Sequence, residues 1–246
     1  MVTKLQGMKL QGAIIAAGRG DRLRISTHHD IPKPLVMLGG APMLSRQARA
    51  LLDAGADSVV AIVNSETARV AREMSIKLPP LVRLVVRDTA NSMETMLALG
   101  DVIEPGWFIA STVDAVIPQD ELARFVNEAR RKIEEGGDKT MAGVLAVARW
   151  GGEAKPLFAD VTENGLIHGL GNRQTSTVTA GLYFLSTRVF DFAADARRAG
   201  LDALRRFLAL IIERGMRLDA IEIEGSIDVD EASDLDAARL AIRKMP

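Results

Sequence analysis

The sequence predicts an α/β fold in which helices pack on one mixed sheet. In the first 140 residues, short apolar runs rich in Val and Ile alternate with segments that have apolar residues at helical spacing. After residue 140 several strand-like segments follow one another, and a tight turn, "ENG", joins two of them. Strands that alternate with helices are expected to be parallel, with the helices as crossovers, whereas strands that follow one another directly are expected to be antiparallel. We therefore expect a parallel sheet that is extended by a smaller antiparallel part.

The first half contains four predicted strands, identified by the β-branched residues that are typical of buried strands. They lie at residues 13–17, 58–63, 81–86 and 107–113. Helices are predicted at residues 42–54, 65–76, 91–99 and 119–135. Pro42 suits the first position of its helix, because that position does not need a backbone N–H. Strands and helices therefore alternate, with a long charged loop after the first strand.

The second half is predicted to be richer in successive strands. These lie at residues 141–148, 157–161, 166–169, 179–186 and 218–223, and the tight turn lies at residues 163–165. Helices are predicted at residues 188–199 and 201–214, and a last helix opens with "DVDEASDL" and runs to Arg243. Because no linker is long enough to separate independent units, we predict a single domain over residues 1–246.

Composition and charge exclude several classes of function. The 31 Lys and Arg residues balance the 32 Asp and Glu residues, so no strong basic field points to nucleic acid. The chain has no cysteine, which excludes disulfides and thiolate metal sites. No segment has the apolar core of a signal peptide, and none approaches the roughly 18 apolar residues of a membrane span. We therefore expect a cytoplasmic protein with neither a nucleic-acid nor a membrane partner.

The loop after the first strand has glycines and basic residues where α/β sheets bind ligands. Two common phosphate motifs are excluded by counting, because the dinucleotide fingerprint and the P-loop each require Gly at a position that Leu23 occupies. The loop still offers the backbone N–H groups of Gly18 and Gly20. Arg22 and Lys33 add positive charge. These features together favour a polyphosphate ligand.

The whole stretch, "AAGRGDRL" followed by "PKPLVMLGGAPML", resembles the signature of nucleotidyltransferases that join an NTP to a phosphorylated sugar, polyol, choline or cofactor. That signature is A-A-G-x-G-[ST]-R-[ML], followed by P-K-x-L. The resemblance implies a Rossmann-like three-layer α/β/α fold of the GT-A-like type found in nucleotide-diphospho-sugar transferases. It implies a nucleotide-binding half over residues 8–140 and an acceptor-binding half over residues 141–246, with a metal aspartate in each.

The same resemblance assigns roles within the loop. Arg22 and Lys33 bind phosphate and stabilise charge during transfer, so both are expected to be catalytic. The remaining loop residues wrap the triphosphate, and these are Ala16, Ala17, Gly18, Arg19 and Gly20. Asp21 departs from the signature, which has Ser or Thr there.

Two aspartates match the family's ligands for Mg²⁺. Asp114 follows the apolar run "WFIASTV", and a carboxylate is a ligand that Mg²⁺ prefers. A turn aspartate ahead of Pro118 is the alternative interpretation. Asp228 lies in "SIDVDEASDL", which resembles the family's closing segment and implies the second metal carboxylate. Asp230 is interpreted as the N-cap of the last helix.

Base and acceptor specificity depend on weaker resemblances. Asn91 and Ser92 open a segment similar to one in cytidylyltransferases, which favours CTP, although residues of these types equally explain a helix N-cap. Ala180 and Gly181 belong to "TAGLYFL", similar to a family segment that lines the acceptor site. Lys155 lies where relatives place a residue near the acceptor phosphate, and an exposed lysine without a role is the alternative.

The implied reaction requires no catalytic nucleophile from the protein. An acceptor phosphate is already anionic near neutral pH, so the protein has to supply positioning, a metal and positive charge. The three histidines, His28, His29 and His168, are therefore expected to have no catalytic role. Three interpretations remain: an Mg²⁺-dependent nucleotidyltransferase, a molybdenum-cofactor guanylyl- or cytidylyltransferase, and a non-catalytic nucleotide-binding domain. The presence of Lys33, Asp114 and Asp228 together argues against the third.

Overall fold

The computed structural model describes residues 9–28, 30–136, 138–152, 156–171 and 173–244. The strands of this part are β1 Gln11–Ala16, β2 Met37–Leu38, β3 Ala41–Pro42, β4 Ser58–Val63, β5 Val82–Val86, β6 Trp107–Thr112, β7 Ala115–Val116, β8 Met141–Arg149, β9 Phe158–Val161, β10 Ile167–Gly171, β11 Thr177–Ser186, β12 Arg217–Glu222 and β13 Ile227–Asp228. The α-helices are α1 Asp21–Thr27, α2 Met43–Asp53, α3 Ser65–Glu73, α4 Ser92–Leu97, α5 Gln119–Gly136, α6 Ala193–Arg198, α7 Leu204–Glu213 and α8 Ala232–Lys244. Short 3₁₀ helices cover Lys33–Leu35, Ala98–Asp101 and Thr187–Phe192.

One large sheet is built around β1. This strand pairs in parallel with β4 on one side and β6 on the other, and β5 continues the parallel order beyond β4. The apolar residues of β1 and β4 are buried because helices cover both faces of the sheet. The alternation of strands and helices in the first half therefore predicted the parallel order correctly.

The antiparallel extension begins at β11. Its second half pairs with β6, while its first half pairs with β9, and β8 runs along its other edge. Gly181 lies in the register shift between Thr179 and Tyr183, with a φ of 71° that favours glycine. The β9–β10 hairpin turns at the predicted residues, where Gly165 has a φ of 76°. β12 is an exception to the antiparallel order, because it pairs in parallel with β8.

Helices pack on the two faces of the sheet and give it two hydrophobic cores. Alternate residues of β1 belong to different cores, since successive side chains of a strand point to opposite faces. Ile14 packs with residues of α2 and α5, whereas Ile15 packs with residues of α4 and α7. The three-layer α/β/α arrangement implied by the sequence is therefore present.

Several local predictions need correction. Part of the charged loop after the first strand is a helix, α1, and Pro42 is the N-cap of α2, not its first residue. The predicted helices at residues 91–99 and 188–199 each divide into an α-helix and a 3₁₀ helix. The short β2–β3 hairpin and the antiparallel pairing of β7 with β13 were not predicted. Strands of two residues are too short to show a hydrophobic period.

None of the helices in the described ranges combines the length and the apolar character that a membrane crossing requires.

Candidate active site

A cavity of about 590 Å³ opens at the carboxyl ends of β1 and β6. Its walls come from the turn after β1, the start of α1, the 3₁₀ turn at Lys33–Leu35, the start of α4 and the turn after β6. The cavity is lined by all the residues predicted to bind nucleotide and by the first predicted metal ligand. These are Ala16, Ala17, Gly18, Arg19, Gly20, Arg22, Lys33, Asn91, Ser92 and Asp114.

The glycine loop is shaped by its contact with Lys33. Gly20 is the N-cap of α1 and has a φ of 67°, and a Cβ atom there would lie 2.4 Å from the Cβ of Lys33. Only glycine combines this backbone conformation with so close an approach. A Cβ on Gly18 would meet no atom within 4 Å, so at this position the backbone faces open space. The loop can therefore bring its N–H groups close to a ligand.

Lys33 is the buried cation of the site. Its Nζ lies 2.5 Å from Oδ2 of Asp114 and 2.8 Å from Oδ1 of Asp230, and its side chain is only 9% exposed. Burial by itself would lower the pKa of Lys33, but the two carboxylates outweigh burial and raise the pKa above its usual value. Lys33 therefore stays protonated and bridges two acidic residues.

Asp114 is held by the turn that follows β6. Burial favours the neutral form of this carboxyl, but the positive charge and hydrogen bond of Lys33, with a hydrogen bond from Thr112, lower its pKa below the usual value. Asp114 is therefore ionised at neutral pH, as a metal ligand must be.

Asp228 reaches Asp114 through the short β7–β13 pairing. In that pairing Asp228 lies opposite Ala115, and the backbone N–H of Val229 donates to the carbonyl oxygen of Asp114 at 3.1 Å. Carboxylate oxygens of Asp114, Asp228 and Asp230 lie within 4.8 Å of one another. Desolvation of the Asp228 carboxyl, together with the negative charge of Asp114, raises the pKa of Asp228 to about 7.

Asp230 is the site residue that the sequence interpretation missed. Its carboxylate is not the cap of α8, since it pairs with Lys33 and, at 2.6 Å, with Arg22 Nη2. Asp234, in the first turn of α8, reaches back instead, and its Oδ2 accepts from the backbone N–H groups of Asp230 and Glu231, which precede the helix. The available signal was the spacing of Asp228 and Asp230, because residues two apart in an extended segment share a face.

The side chains of Asn91 and Ser92 both form structural hydrogen bonds at the start of α4. The Oδ1 of Asn91 accepts from the backbone N–H of Glu94 at 2.9 Å, so Asn91 is the N-cap. The Oγ of Ser92 accepts from the backbone N–H of Leu204 at 3.0 Å and thereby ties α4 to α7. Both residues line the cavity, but these acceptor atoms already have structural partners.

The predicted acceptor residues Ala180 and Gly181 do not line this cavity. Ala180 is buried, and a Cβ on Gly181 would lie 2.7 Å from Oγ1 of Thr112 and 2.9 Å from the Cβ of Ala115. These residues could therefore offer an acceptor only their backbone. Lys155 lies outside the described residues, as does His29.

Arg19 and Asp21 lie at the mouth of the cavity. Both are exposed, and within the described ranges neither has an ion-pair partner. Asp21 lies in the first turn of α1, where the helix dipole favours a negative charge. Arg24 is not its partner, since Arg24 pairs with Asp30 and Glu66. The acidic residue at the hydroxyl position of the signature therefore forms no ion pair with the described cations of the cavity.

Comparison with known proteins gives concordant results. Residues 12–207 match the family described as MobA-like NTP transferase domain. The chain is 22% identical over 244 residues to UTP–glucose-1-phosphate uridylyltransferase AglF of Haloferax volcanii, covering 96% of this chain and 97% of the relative. It is 26% identical over 198 residues to the mannose-1-phosphate guanylyltransferase catalytic subunit beta of Drosophila melanogaster, covering 75% of this chain. The match spans only 50% of that relative's length.

A solved structure shares the fold over nearly the whole chain. The inositol-1-phosphate CTP transferase from T. maritima superposes with a TM-score of 0.76 at 17% sequence identity, covering 98% of each chain. The fold is therefore the GT-A-like, Rossmann-type α/β/α arrangement that the sequence motifs implied.

Proposed function

The chain belongs to the MobA-like NTP transferase domain family, and from this we propose that it is an Mg²⁺-dependent nucleotidyltransferase. It transfers NMP from an NTP to a small phosphorylated acceptor, such as a sugar-1-phosphate, a polyol phosphate or phosphocholine. One observation carries the proposal: the glycine loop, two cations and the carboxylates of Asp114 and Asp230 line one cavity at the carboxyl edge of the sheet, and an Asp228 oxygen lies within 4.8 Å of those carboxylates.

The proposed reaction is an in-line displacement at phosphorus. An anionic oxygen of the acceptor phosphate attacks the α-phosphorus of the NTP and forms a new P–O bond. The bond from the α-phosphorus to the oxygen that bridges to the β-phosphate breaks, and pyrophosphate leaves with the electron pair. Because the nucleophile is already ionised, the protein contributes positioning and positive charge. The backbone of Gly18 and Gly20, together with Arg19, Arg22 and Lys33, surrounds the negatively charged triphosphate.

The carboxylates fit a hard divalent cation. Asp114, Asp228 and Asp230 present oxygen ligands within 4.8 Å of one another, and Mg²⁺ binds through one or two carboxylates together with substrate phosphates. We assign Asp114 and Asp228 to the metal. When bound, Mg²⁺ neutralises phosphate charge and orients the reacting groups. Lys33 lies against Asp114 and holds that carboxylate in its ionised form.

We propose CTP as the preferred nucleotide substrate. The start of α4 resembles a cytidylyltransferase segment, and the T. maritima neighbour is a CTP transferase that acts on inositol-1-phosphate. The other two relatives are a uridylyltransferase and a guanylyltransferase that act on sugar-1-phosphates. Their acceptors are all small phosphate monoesters, which is the acceptor class proposed here.

The test is pyrophosphate release over a matrix of substrates. ATP, CTP, GTP and UTP are each combined with glucose-1-phosphate, mannose-1-phosphate, inositol-1-phosphate, phosphocholine or the molybdenum cofactor, with Mg²⁺ or with EDTA. We expect Mg²⁺-dependent release that requires an acceptor and is greatest with CTP and one of the four monoesters. Asp114→Asn is the control for contaminating enzymes.

The outcomes separate the alternatives. If pyrophosphate were released only when the molybdenum cofactor was the acceptor, the protein would be a molybdenum-cofactor nucleotidyltransferase and the proposed acceptor class would be wrong. NTP binding without release for any acceptor would favour a nucleotide-binding domain. Release that persists in EDTA would contradict the metal requirement.

A further inference from the structure

Asp230 stands between the two cations that line the predicted triphosphate site. One of its carboxylate oxygens lies 2.8 Å from Lys33 Nζ, and the other lies 2.6 Å from Arg22 Nη2. Within the described part of the chain, no group other than these two cations donates to the carboxylate. A single anionic group therefore satisfies both cations at once, which is what a phosphate of the substrate would do.

We infer that Asp230 is a phosphate surrogate, which holds Lys33 and Arg22 in the nucleotide-free chain and releases them to the incoming triphosphate. This inference rests on the proposed function. An ammonium has three donors, and two of those on Lys33 already bond to Asp114 and Asp230. A phosphate placed beside Asp230 would meet its negative charge, so tight phosphate binding requires this carboxylate to withdraw.

The backbone around Asp230 allows this withdrawal without unfolding α8. The N–H groups of Asp230 and Glu231 are held by Asp234, and the N–H of Ala232 donates to the Oγ of Ser26 at 2.9 Å. These bonds anchor the start of α8 to its own first turn and to α1 whether or not the carboxylate is paired. Release of Asp230 is therefore a side-chain movement.

The surrogate has a measurable thermodynamic consequence. A ligand that binds only the released state has an apparent affinity reduced by the fraction of molecules in that state. Removing the Asp230 charge should therefore strengthen the binding of a bare polyphosphate. A residue that merely supported the structure would weaken binding when it was changed, so the sign of the effect distinguishes the two roles.

The experiment measures binding of inorganic pyrophosphate by titration calorimetry in EDTA, with wild type, Asp230→Asn and Asp21→Asn. Asp21 lines the same cavity and gives the same change in charge, but has no ion-pair partner in the described ranges. The Asp21→Asn variant therefore measures only the gain in pyrophosphate affinity that comes from removing one negative charge from the cavity. We expect Asp230→Asn to bind about tenfold more tightly than wild type, well beyond the gain in Asp21→Asn. Asp230→Glu, which restores the charge, should return the affinity toward that of wild type.

Each result bears on the inference. Equal affinity gains in Asp230→Asn and Asp21→Asn, or weaker binding in Asp230→Asn, would overturn the surrogate role and leave the proposed function standing. If no variant bound pyrophosphate in EDTA and none bound any NTP in the presence of Mg²⁺, the proposed function would fail and this inference with it. Circular dichroism checks folding, and Asp230→Ser is the second charge-removing variant if Asp230→Asn does not fold.

Discussion

Lys33 and Asp114, 81 residues apart in the chain, form a close ion pair of 2.5 Å at the base of the cavity. The pair joins the "PKPL" segment after α1 to the turn after β6. Lys33 stays charged and Asp114 stays ionised because each stabilises the charge of the other. The lysine of the predicted phosphate-binding loop and the predicted metal ligand Asp114 are therefore electrostatically coupled, so a substitution at either residue should shift the pKa of the other.

Asp114→Asn should abolish turnover while the fold persists. The amide keeps the size of the side chain but loses the negative charge that the metal and Lys33 require. Pyrophosphate release and far-UV circular dichroism are the measurements. Asp202→Asn is the matched control, because Asp202 is exposed and, among the described residues, pairs only with the exposed Arg206. An Asp114→Asn variant with an unchanged rate would remove the metal assignment.

Lys33→Ala should lower kcat by about 10² or more, the range found when a preorganised electrostatic group is removed from a transition state. It should also lower the melting temperature in EDTA, because Asp114 and Asp230 then face each other without the cation. Lys77→Ala, at an exposed lysine outside this cavity, is the control. Full activity in Lys33→Ala would contradict its role in phosphate binding.

Much of the fold was predictable because local patterns determine it. The β-branched run at β4 and the alternation with helices identify a buried parallel sheet without any information from other parts of the chain. The loop signature likewise placed Arg22 and Lys33 at one cavity. Both inferences depend on residues that are close together in sequence.

Asp230 could not be assigned in this way. Locally it precedes a helix, and an aspartate before a helix is a common N-cap. Its actual partners, Arg22 and Lys33, lie near the other end of the sequence, and the bonds at the start of α8 come from Asp234, which accepts from the backbone N–H of Glu231. The β7–β13 pairing that brings this segment to Asp114 has two residues a side, too few to produce a pattern.

The stability of the metal-free protein should depend on the ionisation of Asp228. Its pKa of about 7 lies above the usual 3.8, so between these values the folded chain keeps a proton that the unfolded chain has released. The contribution of Asp228 to the free energy of unfolding is therefore present at low pH and is lost as the pH rises through about 7. The Asp228→Asn variant has no carboxyl to ionise at this position, so its stability should not show this loss.

The measurement is the melting temperature of both proteins in EDTA from pH 5 to pH 8. We expect the difference, Asp228→Asn minus wild type, to grow with pH. Added Mg²⁺ should reverse the trend, because the metal stabilises the ionised carboxylate of wild type. A difference that is constant across this range would show that Asp228 titrates at its ordinary value.

Gly20→Ala should damage both stability and function, since the new Cβ would need a φ of 67° and would lie 2.4 Å from the Cβ of Lys33. Two controls separate these effects. Gly40 also has a positive φ but faces open space, so Gly40→Ala measures the backbone cost alone, about 1–2 kcal/mol.

Gly18→Ala is the second control. Gly18 has neither a positive φ nor a neighbour within 4 Å of a Cβ, so the variant should keep the stability of wild type. It should nevertheless bind NTP more weakly, because the methyl group projects into open space where the loop would approach phosphate. Chemical denaturation and NTP titration test both points. Wild-type stability in Gly20→Ala would show that the loop and Lys33 can separate without cost.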